Sequence, residues 1–148
     1  MAAIRSRLCG GSACLLCIFV FATTSSAQRS CLKYEPSVIQ LKGILLRKTY
    51  PGPPNYEDVM KGDRPETYWL LSLVQPICVN KDSHNPDINV AYKNVHSIEL
   101  VLPNSEYYRK HANLVGHKVL AIGTLLGQIT THHHTHVLLT VSSIKRDD

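Results

Sequence analysis

Four imidazoles stand within five positions, His132-His133-His134 and His136, immediately before the apolar run Val137-Leu138-Leu139. Neutral imidazole nitrogens ligate Zn, Cu or Ni, donate and accept hydrogen bonds, and take up a proton near about pH 6.5. If Val137, Leu139 and Val141 form the core face of a strand, running that alternation backwards puts His133 and Thr135 on the core side. His132, His134 and His136 then share the other side. Three rings in one row make a candidate metal set, with Glu57, Asp58 or Asp63 available to complete it. Two plainer uses compete with it: hydrogen bonds that stiffen an irregular loop, and contact with an anionic or sugar ligand.

The elements that would carry this cluster are mostly strands. Segment 38–48 alternates around Gly43, as a long bent strand does, and 68–74 is a second strand with Trp69, Leu71 and Leu73 on one face, closed by Pro76. Trp69 is read as core rather than as a stacking platform, being in phase with those leucines. Segment 95–102 is a third strand, stopped by Pro103. Asn104 or Ser105 can cap a short helix with Glu106 in its first turn and Gly116 at its C′ position. Segments 119–125 and 137–144 supply strands four and five, with Gly123 as a second bending point.

Three strands, one helix and two strands, with glycines in strands one and four, predict a mostly β fold. The expected architecture is a small five-stranded OB-like barrel with one short helix between strands 3 and 4, and an open α+β sheet is the alternative. In such a barrel the loop joining strands one and two and the loop joining strands four and five frame the binding face. Those are segments 49–67 and 127–136. Tyr50, Asn55 and Tyr56 from the first loop are therefore expected to meet His132 and His134 from the second, with Tyr68 at a strand end nearby.

The N-terminus bears on address rather than fold. Arg5 and Arg7 precede an apolar run over residues 13–22, and Ser25-Ser26-Ala27 offers small residues for cleavage, the pattern of a secretory signal over 1–27. That leaves one domain over 28–148, expected to be periplasmic or secreted, with no membrane insertion after cleavage. Fourteen basic residues then face eleven acidic ones, a charge of +3 with His neutral. Without a basic run to track a phosphate backbone, nucleic acid is discounted as a partner. Cys9, Cys14 and Cys17 leave with the signal, so Cys31 and Cys78 form an even pair in an oxidising compartment and are expected to be bridged. A lipid-bearing Cys31 and a free thiol are the alternatives. The chain holds no G-x-S-x-G, no phosphate-cradling glycine loop and no H-E-x-x-H, so it is not read as an enzyme and no catalytic residue is assigned.

Read together, Cys31-Leu32-Lys33-Tyr34-Glu35-Pro36, Leu41-Lys42-Gly43, Pro51-Gly52-Pro53-Pro54-Asn55-Tyr56, Glu66-Thr67-Tyr68-Trp69, Pro76-Ile77-Cys78-Val79, Gly116-His117-Lys118-Val119, Gly123-Thr124-Leu125 and His132-His133-His134-Thr135 resemble a family of exported bacterial proteins catalogued as domain of unknown function 4431. His136 stands where the family pattern has Pro, so a fourth-imidazole role would be peculiar to this chain. The resemblance implies an envelope location and a single small domain, and carries over no activity or ligand; some relatives occur beside lysozyme-inhibitor-like domains. The expected function is an exported OB-like binding module for an envelope protein or glycan. Its alternatives are a Zn, Cu or Ni protein acting through His132, His134 and His136, and an inhibitor or immunity-type partner of a cell-envelope enzyme. Oligomeric state is left open.

Overall fold

A computed structural model describes residues 30–130 and 132–148; the signal expected over 1–27 lies outside them. The elements are β1 (Val38–Pro51), a 3-10 turn (Val59–Lys61), β2 (Pro65–Val79), β3 (Tyr92–Val101), α1 (Ser105–His111) running into a second 3-10 turn (Ala112–Leu114), β4 (Lys118–Gly127) and β5 (Val137–Arg146). The strands close on themselves in the order β1-β2-β3-β5-β4. All neighbours are antiparallel except β3 and β5, which pair in parallel over Glu99–Val101 and Leu138–Thr140. This is the Greek-key order of the OB barrel, and the open-sheet alternative falls.

Closure depends on β1 serving two neighbours. Gly43 sits opposite Leu73 of β2 and Val119 of β4 at once. A Cβ on Gly43 would lie 2.3 Å from the Ser72 carbonyl oxygen, so only hydrogen fits where the strand turns from one partner to the other. Gly123 plays the same part in β4, where a Cβ would meet the Thr140 carbonyl at 2.0 Å and the register with β5 shifts. Inside the barrel, the alternate residues Leu41, Leu45, Trp69, Leu71, Ile98, Leu100, Val137 and Leu139 are buried. Each such side chain contributes about 1.5–3 kcal/mol of burial. The helical segment packs Tyr107, Tyr108 and Leu114 against this core, with the Tyr108 ring 4.7 Å from that of Trp69. Asn104 caps α1 by accepting the Tyr107 N–H at 2.8 Å, and Gly116, at φ 86, follows the last helical turn.

Two expectations about strand ends need correction. β2 runs through Pro76 to Val79: a register shift between Ser72 and Ile77 takes Pro76, which has no N–H to give, out of regular pairing. The extension carries Cys78, which is bonded to Cys31, and Leu32 pairs in parallel with Val79, so the tail before β1 is tied to the end of β2. The loop expected over 49–67 is shorter. Thr49, Tyr50 and Pro51 continue the ladder opposite Thr67, Glu66 and Pro65, leaving residues 52–64 as the loop. Likewise Gly127 still pairs with Val137, so the second loop is 128–136.

Candidate functional site

Loop 52–64 is organised by one carboxylate. Asp63 is buried and accepts the backbone N–H groups of Asn55 and Glu57 at 2.8 Å and of Asp58 at 2.9 Å. These donors hold its carboxyl below the ordinary carboxylate range. Asp58 in turn accepts the Met60 N–H and caps the 3-10 turn, while the Tyr56 N–H reaches the Gly52 carbonyl at 3.0 Å. Tyr56 is thereby fixed at φ 60, a left-handed conformation that costs an L-residue about 1–2 kcal/mol.

Loop 128–136 is organised by a second carboxylate, on a strand. Leu70, Glu99 and Leu138 lie side by side across β2, β3 and β5, alternating with the residues that fill the barrel, so they face its outer wall; all three are nonetheless buried. Their cover is the loop. Glu99 Oε1 lies 2.9 Å from His133 Nδ1, Glu99 Oε2 accepts the His134 N–H at 2.8 Å, and the Glu99 N–H donates to Thr135 Oγ1 at 2.9 Å. Gln128 fastens the loop's base, donating Nε2–H to the His133 carbonyl and its N–H to the His136 carbonyl, with its Oε1 3.2 Å from His136 Nδ1. His133 and Thr135 do turn inward, as alternation suggests, but onto the barrel's outer wall. Residues 128–130 and 132–136 are not strand, and the chain lies over the sheet before β5 begins.

The other three imidazoles each lie flat on a different tyrosine. His134 stacks on Tyr50 with ring centroids 3.5 Å apart and meets the edge of Tyr68 at 4.7 Å; His132 stacks on Tyr56 at 4.0 Å; His136 stacks on Tyr92 at 5.1 Å. Tyr50, Tyr56, His132 and His134 are thus brought together as one rim joining the two loops. Asn55 is on the same loop but spends its N–H on Asp63. His132, His134 and His136 are thus separated onto three tyrosines, and Asp63 is engaged by backbone N–H groups. Among the described residues no group of three or more His, Cys, Asp or Glu side chains is arranged to hold a metal ion.

Burial lowers the pKa of His134 from its ordinary 6.5, although the Glu99 charge pulls the other way, so the stacked ring is favoured as neutral. Burial, helped by Glu99, raises Tyr50. Tyr68 is pushed up to about 12, first by burial and then by donating its hydroxyl to Glu66 Oε2 at 2.7 Å. Beside the rim runs a groove of about 300 Å³ between the first half of β3 and the second loop, lined by Tyr92, His96, Ser97, His134 and His136 among others. It combines the aromatic face of Tyr92 with imidazoles, the Ser97 hydroxyl, the Asn94 amide and the Lys93 ammonium.

Glu99 and Tyr92 were not legible as site residues. Glu99 occupies an alternating strand position that reads as ordinary solvent face, and only the loop folded over it makes it a buried anchor.

An OB barrel with a rim of stacked Tyr–His pairs across its two binding-face loops defines the class. Residues 97–145 match the model of a family described as a domain of unknown function (DUF4431), the one the sequence motifs resemble. The matched span runs from β3 to β5 and includes Glu99 and all four clustered histidines. No curated protein and no solved structure matches the chain.

Proposed function

We propose that this protein is an exported, non-enzymatic binding module that holds a saccharide of the cell envelope in the groove beside its aromatic rim. The observation that carries the reading is the set of three Tyr–His stacks, which join β1, loop 52–64 and β3 to loop 128–136 as one surface fixed before any ligand arrives. Pyranose rings stack their C–H faces on such aromatics, and their hydroxyls exchange hydrogen bonds with the neutral His134 imidazole and with Ser97 and Asn94 of the groove lining. Preorganisation lowers the ordering cost that otherwise weakens sugar binding. Binding rather than turnover is favoured because both Glu99 oxygens are engaged by the loop, leaving the Glu99–His133 pair as a fastening.

The test is a backbone-amide NMR titration with soluble peptidoglycan fragments, using the parent protein, Tyr92→Ala and His136→Ala. Saturable shifts confined to β3 and loop 128–136, weakened roughly tenfold in each variant, are the expected result. Absence of shifts at millimolar glycan removes the reading. Export is checked separately, by N-terminal sequencing of protein recovered outside the cytoplasm, which should begin at Gln28.

A further inference from the structure

The β3–β5 ladder stops short, and a side chain stops it. The Thr135 hydroxyl accepts the Glu99 N–H at 2.9 Å and donates to the Val137 carbonyl at 2.7 Å, standing between the two strands. Pairing with β5 begins only at Glu99 opposite Leu138, and the earlier part of β3 runs along the groove with no strand on that side. Main-chain phase decides which groups are left open there. Glu99 turns its N–H toward Thr135 and away from β2, and Ser97 follows two residues earlier in the same unbroken register, opposite Ser72. Residues two apart in an antiparallel strand turn their N–H and C=O the same way, so both main-chain groups of Ser97 face the groove. Among the described residues neither is bonded to loop 128–136. Ser97 is half-buried in the groove wall, with Val95 and Val137 as apolar neighbours in the lining. The regular edge ends beyond it at a bulge: Tyr92 and Val95 oppose Val79 and Ile77, one residue more on β3 than on β2, and Asn94 takes φ 54.

We infer that the groove takes a saccharide carrying a short peptide, whose main chain pairs with Ser97 as an added strand while the sugar lies along the Tyr92–His136 stack. This rests on the saccharide reading and specifies its ligand. A donor and an acceptor of one residue facing the same way are met by two successive amides of an extended chain: the first carbonyl accepts the Ser97 N–H, and the following N–H donates to the Ser97 carbonyl. That is the bonding of strand addition, in which main-chain groups give the affinity. A bare glycan has no such pair of amides along an extended backbone. Length favours a short peptide over a strand of a folded partner. The Thr135 hydroxyl at one end and the bulge at Asn94 at the other leave room for about two or three residues at the strand rise.

The experiment titrates the purified mature protein with three probes: a peptidoglycan disaccharide–tripeptide, the same disaccharide after amidase removal of the peptide, and the free tripeptide. The conjugate should bind roughly tenfold more tightly than the bare disaccharide. It should also slow hydrogen exchange at the Ser97 amide, which the bare disaccharide leaves unchanged. Ser97→Pro removes a donor that the β2 ladder does not use, so the barrel should persist, as circular dichroism verifies. This variant should bind conjugate and bare disaccharide equally. Should it fail to fold, the exchange measurement on the parent still decides. Equal binding of conjugate and bare disaccharide by the parent overturns the peptide pairing and leaves the saccharide reading standing. A preference for the conjugate without slowed exchange at Ser97 overturns it as well. Free tripeptide binding as tightly as the conjugate, or no binding of any probe, overturns both.

Discussion

The two loops of the rim are both held by a buried carboxylate that accepts backbone N–H groups, but the carboxylates stand in different places. Asp63 belongs to the loop it organises and bonds residues five to eight positions away. Glu99 belongs to β3 and bonds residues 34–36 positions further along the chain. A local clamp shapes a loop without reference to the barrel; a distant clamp makes the loop's shape part of the barrel's stability. The first loop can therefore carry an exposed, self-supporting apex, while the second acts as the cover of an outer apolar wall that would otherwise be wet.

The difference is sharpest for Glu99→Ala. Removing that side chain strands the half-buried His134 N–H and uncovers Leu70 and Leu138, so roughly 2–4 kcal/mol of global stability should be lost in urea unfolding. A loss below about 1 kcal/mol would mean the cover is not anchored this way. Next in size, Tyr50→Ala removes a close stack and the packing around Tyr68, and should cost about 1–2 kcal/mol. Tyr56→Ala, on the exposed side of the rim, should leave the unfolding midpoint nearly unchanged, because its ring is stacked only on an exposed His132.

Acid should then separate the loops. His134 has a folded pKa below its ordinary 6.5, so between those values the unfolded chain binds more protons than the folded one. Its contribution is complete above pH 6.5 and declines as the pH falls toward the folded value. Asp63 is also depressed, from 3.8, so its clamp is complete above that pH and is lost only as the pH falls through the lower folded value. Hydrogen-exchange protection of the His134 amide should fall on acidification below pH 6.5, while that of Glu57 and Asp58 persists. Simultaneous loss would show the two loops to be one cooperative unit. The smallest global effect belongs to Asp63→Ala: faster exchange at Asn55, Glu57 and Asp58, with the unfolding midpoint unmoved.

The same contrast explains what the sequence made legible. Gly43 and Gly123 announced the bends of a closed barrel because a missing side chain in an apolar strand has few other uses, and the helix announced itself through Asn104, Glu106 and Gly116. The meeting of Tyr50 and Tyr56 with His132 and His134 followed from the loop order of that fold. Strand length escapes the sequence where Pro76 reads as a stop: it lies within β2, at a register shift. The row of three imidazoles was misjudged because alternation was carried past Val137, where the strand begins. What no local pattern could supply was Glu99, whose role depends on a segment more than thirty residues away lying over it.

The ring stacks themselves are the direct point of test, since the rim and the groove beside it depend on them. Proton NMR at neutral pH should show nuclear Overhauser contacts between the rings of Tyr50 and His134, Tyr56 and His132, and Tyr92 and His136, with the imidazole carbon-bound protons shifted upfield by the facing tyrosines. Imidazole protons at random-coil positions, without contacts to any tyrosine, would contradict the account.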